Sequence, residues 1–430
     1  MTPKHKPLVI KGCRQCGKTF SATAFAEANY EYVVGINFIE QPELCRAFEG
    51  SLKIDDIIMY LSTMLDINTR FVPGRTCIIL DEIQECPQAR TALKFFCIDG
   101  RYDVIATGSL LGVSGYNEDK PVSIPIGYET QIDMYPLDFE EFLWANGISE
   151  EVFQLLRHNL ENRIPVPTPI HLRMKELLLR YLIVGGMPEA VNIYLDTKQM
   201  NQVLLAQRGI VNGYRDDMLK YAPKELKSKI RESFDSIPKQ LRREYKKFQY
   251  SIVRTGATSA RYAGAVQWIE DAAIIRRAYN VSITELPLDG NAIDSEYKVY
   301  MADIGLLISM LEDETQADIL MGNLHTYKGA IFENLMADFL GKSGKKLYYY
   351  HKETGLEVDF LLRIQGECVL VECKAQTGNA KSAKTILKHP EKYHVRHAIK
   401  LGDYNIGQEG PMLTLPLYLG FMLPSVKFEE

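Results

Sequence analysis

The first hundred residues alternate between short apolar runs and helical patterns. Residues 7–12 (PLVIKG) form an apolar run that leads into a glycine-rich turn, and residues 18–29 (KTFSATAFAEAN) follow with helical spacing. Two more apolar runs lie at residues 77–80 and within residues 102–112 (YDVIATGSLLG). Continuous runs of this length are typical of parallel strands that are buried on both faces. The pattern therefore predicts an α/β domain at the start of the chain.

The middle of the chain predicts helices with one clear break. Three prolines lie within residues 164–169, which indicates a turn or linker. Helical patterns then continue to about residue 235, and residues 250–282 predict a helix, a turn, a second helix and a strand. That order is typical of a winged helix.

Residues 347–376 (LYYYHKETGLEVDFLLRIQGECVLVECKAQ) predict a β-hairpin with its turn at the segment QGE. Asp359 lies on the first strand, and Glu372 and Lys374, two positions apart, share one face of the second. Glu333 lies upstream on an amphipathic helix. Two carboxylates suit a hard cation, and a lysine beside them suits a developing hydroxide. The pattern resembles the D…E-x-K core of restriction-endonuclease-like nucleases, in which the acids bind Mg²⁺ and the lysine positions the attacking water.

Composition limits the classes of protein that fit. A chain of 430 residues favours two or three domains. The net charge of −5 means that only a local basic patch would attract nucleic acid. We find no uncharged apolar run near 18 residues and no signal peptide, so we expect no membrane span. Eight scattered cysteines favour free thiols in a reducing cytoplasm over a disulfide framework.

Residues 11–20 (KGCRQCGKTF) contain two overlapping motifs. Cys13 and Cys16 have the C-x-x-C spacing of a redox dithiol, whereas Gly12, Gly17, Lys18 and Thr19 form the G-x-x-x-x-G-K-T phosphate-binding loop, or Walker A motif. A strand before the motif and a helix after it favour the second interpretation, since backbone N–H groups there can cradle phosphates. We predict that nucleotide is bound by Gly12, Cys13, Arg14, Gln15, Cys16, Gly17, Lys18, Thr19 and Phe20.

Individual residues of this region have predicted roles. Lys18 would reach the β- and γ-phosphates, and the Thr19 hydroxyl would hold Mg²⁺. Asp81 ends a buried strand as in a Walker B motif and would also hold Mg²⁺, with Glu82 polarising the attacking water. Thr107, at the end of the next strand, would sense the γ-phosphate. The alternatives are a solvated acidic turn at residues 81–82 and a simple Thr-Gly-Ser turn at residues 107–109.

Eight stretches, in the same order as in the family, resemble prokaryotic AAA-superfamily ATPases that carry a C-terminal domain of unknown function. They are GCRQCGKT, IILDEIQECPQARTALKFF, ATGSLLGV, YPLDFEEFLWANG, YLIVGGMPEAV, YKVYMADIGLL, KGAIFENLMADFL and LEVDFLL. The resemblance implies that Pro188, in VGGMPEAV, packs against the adenine base and that the chain forms homo-oligomers. A plain helix–helix corner at Pro188 is the alternative, since proline is common in the first turn of a helix.

Together these features predict an α/β chain of four parts. They are a P-loop AAA-like ATPase core (1–150), a helical lid (151–235), a winged-helix-like segment (236–295) and a nuclease-like α/β domain (296–430). The predicted catalytic residues are Lys18, Glu82, Asp359, Glu372 and Lys374. The predicted Mg²⁺ ligands are Thr19, Asp81, Glu333, Asp359 and Glu372.

Two functions stay open at this point. In the first, ATP and Mg²⁺ drive hydrolysis that is coupled to a C-terminal DNA-binding or nuclease-like domain. In the second, the chain is a non-hydrolysing, nucleotide-gated switch or scaffold with an inactive nuclease fold. A basic run would contact DNA phosphates in the first case, or form a solvated helix face; its residues are Arg242, Arg243, Lys246 and Lys247.

Overall fold

The structure is a computed structural model that describes residues 5–109, 127–241, 247–323, 328–374 and 380–428. The chain divides into two compact units. The first comprises residues 1–136 and 271–273, and the second comprises residues 137–270 and 274–430.

The first unit contains a five-stranded parallel sheet with the order β2-β3-β4-β1-β5. The strands are β1 (Leu8–Gly12), β2 (Tyr32–Asn37), β3 (Thr76–Asp81), β4 (Asp103–Ser109) and β5 (Thr130–Met134). The helices are α1 (Lys18–Asn29), α2 (Ile54–Met64) and α3 (Pro87–Asp99). This confirms the α/β fold predicted from the apolar runs.

Both faces of this sheet are buried, as continuous apolar strands require. One face packs Val9, Ile78 and Leu80 with Leu93 of α3. The other packs Ile79 and neighbouring residues against the alanines of α1. Because parallel strands end at the same edge, the carboxyl ends of β1, β3 and β4 lie side by side. That edge is where the sequence predicts the nucleotide.

The second unit begins with a series of helices. They are α4 (Phe139–Ala145), α5 (Glu150–Asn162), α6 (Thr168–Val184), α7 (Pro188–Thr197), α8 (Met200–Tyr221), α9 (Lys227–Gln240), α10 (Tyr250–Val253) and α11 (Ser259–Asp271). A capping box of Asp138 and Glu141 starts α4, because each side chain bonds the backbone N–H of the other residue. The proline-rich break predicted at residues 164–169 covers the gap between α5 and α6 and the start of α6.

An eight-stranded mixed sheet follows, with the order β12-β13-β11-β10-β9-β8-β6-β7. Its strands are β6 (Ile275–Val281), β7 (Ala292–Met301), β8 (Leu347–His351), β9 (Glu357–Ile364), β10 (Glu367–Cys373), β11 (Val395–Gly402), β12 (Gly407–Glu409) and β13 (Met412–Pro416). The helices of this part are α12 (Ile304–Ser309), α13 (Thr315–Met321), α14 (Lys328–Lys342), α15 (Lys381–Leu387) and α16 (Pro390–Tyr393). Strands β9 and β10 form the predicted antiparallel hairpin, which turns at residues 365–366.

The predicted winged-helix segment has the expected local order, since α10, α11 and β6 follow one another. Strand β6, however, pairs with β8 as well as with β7, so it belongs to the eight-stranded sheet. The boundary predicted between residues 295 and 296 falls inside β7. The winged helix therefore stays a prediction.

Of the basic run, Arg242, Arg243 and Lys246 lie outside the described residues, and Lys247 pairs with Glu296 at 2.9 Å.

Candidate functional site

The loop between β1 and α1 has the backbone of a tight turn. Gln15 and Gly17 have positive φ angles of 63° and 97°, and α1 begins directly after Gly17. Gly12 is required by a close approach, because a Cβ there would clash with the carbonyl oxygen of Met134. The turn and the first turn of the helix together form the type of backbone cradle that binds anions.

Lys18 is folded back against this loop. The residue is 7% exposed. Its Nζ donates to the carbonyl oxygens of Cys13 at 2.8 Å and Gly12 at 3.3 Å. These bonds hold the ammonium at the inner side of the turn. A phosphate bound in the cradle would give the ammonium a partner of opposite charge in place of neutral carbonyls.

Asp81, Thr19 and Thr107 meet at the carboxyl edge of the sheet. Asp81 is 6% exposed and accepts hydrogen bonds from the Thr19 hydroxyl at 3.0 Å and from the Thr107 hydroxyl. Asn37 also donates to Asp81, at 3.0 Å. Sequence reasoning missed Asn37, although it ends β2 as Asp81 ends β3. The predicted Mg²⁺ ligands Thr19 and Asp81 are therefore in direct contact.

Glu82 follows Asp81 in the left-handed conformation, with φ 53°. It is half-buried, and the side-chain amide of Gln84 donates to its carboxylate. Arginines of this unit that have acidic partners include Arg75, Arg90 and Arg101, which pair with Glu31, Glu129 and Asp99. The role of Glu82 as the residue that polarises water stays a prediction.

The remaining predicted nucleotide-binding residues differ in exposure. Arg14, Gln15 and Phe20 are exposed, and Phe20 is 79% exposed on α1. Cys13 and Cys16 are buried thiols. A hydrogen bond from the Cys13 side chain and the nearby charge of Lys18 lower the pKa of Cys16 to about 7, against the opposing effect of burial.

Pro188 lies in the second unit, at the first position of α7. The segment before it is a tight corner: Gly185 has φ 65°, and the Gly186 N–H donates to Oδ2 of Asp303 at 2.7 Å. Lys342 in turn pairs with Asp303 at 3.2 Å and with Asp338 at 2.7 Å, and all three side chains are at most 2% exposed. A buried charge network therefore holds this corner. The packing of Pro188 against adenine stays a prediction.

The second predicted site lies in the second unit, around β9 and β10. Asp359 is 8% exposed, and its Oδ2 accepts the Cys373 N–H at 2.8 Å. Glu372 is 3% exposed; its Oε1 accepts the Ala383 N–H at 3.1 Å, and its Oε2 pairs with Lys374. Both predicted acids and the predicted lysine are therefore held by short contacts.

Electrostatics connects these residues with Glu333. Burial and the negative charge of Glu333 raise the pKa of Asp359 to about 7, although Lys298 and Lys374 act in the opposite direction. A carboxyl group that is buried among other carboxylates in this way gains from a nearby cation. The tertiary structure thus brings together all four residues predicted for this site.

Sequence reasoning missed three members of this cluster. Lys298, on β7, places its Nζ 3.2 Å from Oε2 of Glu333 and 3.3 Å from Oε1 of Glu357. The Tyr300 hydroxyl donates to the same Glu333 oxygen at 3.2 Å. The available signal was a lysine inside the strand EYKVYM, two positions from a tyrosine on the same face. We call these residues, with those predicted, the carboxylate cluster: Lys298, Tyr300, Glu333, Glu357, Asp359, Glu372 and Lys374.

The donor atoms of both sites suit Mg²⁺, which prefers carboxylate and hydroxyl oxygens. Within the described ranges, no group of three or more His, Cys, Asp or Glu side chains is arranged to hold a metal ion. Each site instead offers two candidate donors, Thr19 with Asp81 and Asp359 with Glu372. Other ligands to a bound ion would have to come from water or from the phosphates of a substrate.

Three family models match successive parts of the chain. An AAA domain matches residues 4–143, one domain of unknown function (DUF8612) matches residues 175–317, and another (DUF4143) matches residues 328–418. No curated protein matches the chain.

One matching solved structure is a Walker-type ATPase of Pyrococcus abyssi. It is 14% identical, covers 71% of this chain and 91% of its own, and has a TM-score of 0.38.

The helices of the described residues include none that is long and apolar enough to span a membrane. The match to the AAA domain covers the loop, the acidic strand end and the parallel sheet. The C-terminal part matches only domains of unknown function, so its nuclease-like character stays a prediction. Sequence match and geometry together support a P-loop AAA-like ATPase domain in residues 4–143.

Proposed function

We propose that this protein binds ATP with Mg²⁺ in the loop at residues 12–20 and hydrolyses it. The observation that carries the proposal is the contact of Thr19 and Thr107 with Asp81 at the edge where the loop opens. Lys18 would exchange its bonds to the Gly12 and Cys13 carbonyls for phosphate oxygens.

Each remaining residue has a distinct role in this proposal. Bound Mg²⁺ would supply charge neutralisation at the β- and γ-phosphates. Thr19 and Asp81 would hold it, Glu82 would orient and polarise the attacking water, and Thr107 would contact the γ-phosphate.

Phosphate release from ATP tests this function. We expect Glu82→Gln to lower the rate at least about 100-fold while ATP affinity is retained, because the water loses its base but the cradle is intact. Glu85→Gln, a nearby half-buried acid in the same helical turn, is the matched control and should hydrolyse at the parent rate. Equal rates for Glu82→Gln and the parent would remove Glu82 from the mechanism.

The same protein distinguishes hydrolysis from the switch alternative. If ATP changes the size of the particle or its DNA affinity while phosphate release is negligible in the parent, the chain is a nucleotide-gated switch. If calorimetry finds no binding of ATP with Mg²⁺, both functions are wrong.

We further propose that the carboxylate cluster cleaves DNA and that the nucleotide state controls this step in a homo-oligomer. Asp359 and Glu372 would hold a divalent cation, which would supply Lewis-acid chemistry, and Lys374 would position the attacking water. The support is the assembly of the four predicted residues at one place, where burial and the negative charge of Glu333 raise the pKa of Asp359. We place the protein in the cytoplasm, because the eight scattered cysteines of the sequence favour a reducing compartment.

Nicking of supercoiled plasmid with Mn²⁺, with and without ATP, tests this second proposal. Asp359→Asn should abolish nicking, whereas Asp294→Asn, an exposed acid on β7, should leave it unchanged. Nicking that persists in Asp359→Asn excludes this site. DNA binding without any nicking by the parent would instead indicate an inactive nuclease fold.

A further inference from the structure

Lys298 is a buried lysine whose ammonium lies between two carboxylates. It is 8% exposed, and its Nζ lies 3.2 Å from Glu333 and 3.3 Å from Glu357. Burial alone would lower its pKa, but the charges of these acids raise the pKa well above its usual value.

Core packing does not require such a lysine. Replacing a buried ion pair by apolar groups of similar volume is often neutral or stabilising, so a fold gains little from keeping one. The neighbours of Lys298 on β7 are buried and apolar or aromatic, as in an ordinary strand, and the Tyr349 ring lies 5.2 Å away. Lys298 differs from the buried Lys342 in that its acidic partners include Glu333, a residue of the predicted metal site.

The cluster divides into two halves. In one half Lys298 pairs with Glu333 and Glu357. The Tyr300 hydroxyl donates a hydrogen bond to the same Glu333 oxygen that Lys298 contacts. In the other half Lys374 pairs with Glu372 beside Asp359. Four carboxylates and two ammonium groups leave two negative charges when all are ionised. One divalent cation neutralises that excess.

We propose that the Lys298 ammonium takes the place of a second metal ion, so that the carboxylate cluster binds one divalent cation and not two. That cation is held by Asp359 and Glu372, and Glu333 is a partner of Lys298 and not a metal ligand, contrary to the role predicted from the sequence. The inference rests on the proposed cation site of the second unit.

Binding of Mn²⁺ to the full chain without nucleotide, followed by the electron paramagnetic resonance signal of free Mn²⁺, tests this. The number bound by the parent minus the number bound by a variant with Glu333→Gln, Asp359→Asn and Glu372→Gln counts the ions in the cluster, because this variant lacks every predicted metal ligand of the second site and any ion in the first unit is common to both. We expect a difference of one. Lys298→Met should then bind a second ion, or bind the first at least about tenfold more tightly, because the local charge becomes more negative.

Lys298→Arg keeps the positive charge and should retain one ion. A difference of two ions in the parent would overturn the inference while leaving the proposed site intact, whereas a difference of zero would overturn the site and the inference together. A folded Lys298→Met protein, verified by circular dichroism, with unchanged number and affinity would also overturn the inference. If Lys298→Met does not fold, the number of ions bound by the parent and by Lys298→Arg decides whether the cluster binds one cation or two.

Discussion

The two candidate sites hold their acids in opposite ways. Among the described residues, Asp81 of the first unit has neutral hydrogen-bond partners, Thr19, Thr107 and Asn37. In the second unit Glu333 and Glu372 are paired with the ammonium groups of Lys298 and Lys374. A ligand that binds at the first site together with a cation therefore meets a carboxylate whose partners are neutral. A cation that enters the second site instead competes with Lys298 and Lys374 for the carboxylates.

The lysines of the two sites also differ in whether their partners are neutral or charged. Lys18 is bonded to two backbone carbonyls, and a bound triphosphate would offer it a stronger, charged partner. Lys298 already has two carboxylates as partners. The difference suggests that the first site is organised for an anion that arrives and leaves, and the second for a fixed internal charge balance.

The largest expected effect tests whether buried charges of the second unit depend on their partners. Lys342→Met leaves Asp303 and Asp338 buried without their cation, and we expect the free energy of unfolding to fall by about 3–5 kcal/mol. Both tryptophans, Trp144 and Trp268, lie in the second unit, so their fluorescence during urea unfolding reports on that unit.

Lys346→Met is the matched control for this measurement, because Lys346 pairs at 3.1 Å with an exposed acid, Asp289, and is itself exposed. Exposed pairs contribute at most about 1 kcal/mol. Equal losses in the two variants would contradict the view that the Lys342 network holds the corner at Gly186.

The next effect concerns the exchangeable lysine of the first unit. Lys18→Ala removes the ammonium that would move from the loop carbonyls to the phosphates, and we expect ATP hydrolysis to fall at least about 100-fold. Phosphate release measures the rate. Lys53→Ala, an exposed lysine before α2, is the control and should match the parent. Full activity in Lys18→Ala would contradict the proposed exchange of the Lys18 ammonium between the loop carbonyls and the phosphates.

The smallest effect is a pH dependence that reports the charge around Cys16 in the loop. The pKa of Cys16 is lowered to about 7 by the Cys13 hydrogen bond and by Lys18, whose Nζ lies 3.9 Å from Sγ. The thiolate absorbs in the near ultraviolet whereas the thiol does not, so the absorbance that the parent has in excess of Cys16→Ser should rise with pH around a midpoint of about 7. Bound ATP should move the midpoint to higher pH, since it draws Lys18 away and adds negative charge.

This measurement needs no reagent to reach the Cys16 thiol, which is 1% exposed. Cys368→Ser is the matched control: burial raises the pKa of Cys368, so this variant should lose no absorbance near neutral pH. A midpoint for Cys16 at or above pH 8.5 would show that the loop does not stabilise the thiolate.

Local patterns were sufficient for the features that lie within one stretch of chain. The loop at residues 12–19, the acidic end of β3 and the hairpin that carries Asp359 and Glu372 were all predicted correctly as local structure. The reason is that their conformation depends on glycine, strand length and turn residues that are neighbours in the sequence. The winged helix shows the limit of such patterns, because the order of α10, α11 and β6 did not reveal that β6 joins the sheet of the hairpin.

By itself, the sequence determined the α/β character of the first unit, the phosphate-binding loop with its acidic strand end, and the strands and residue types of the second site. Only the tertiary structure decided which charges meet: Asn37 with Asp81, Lys298 with Glu333 and Glu357, and Lys342 with Asp303. These partners lie between 35 and 59 positions apart. No local spacing rule applies at such distances, because the partner of a buried charge depends on sheet order and helix packing.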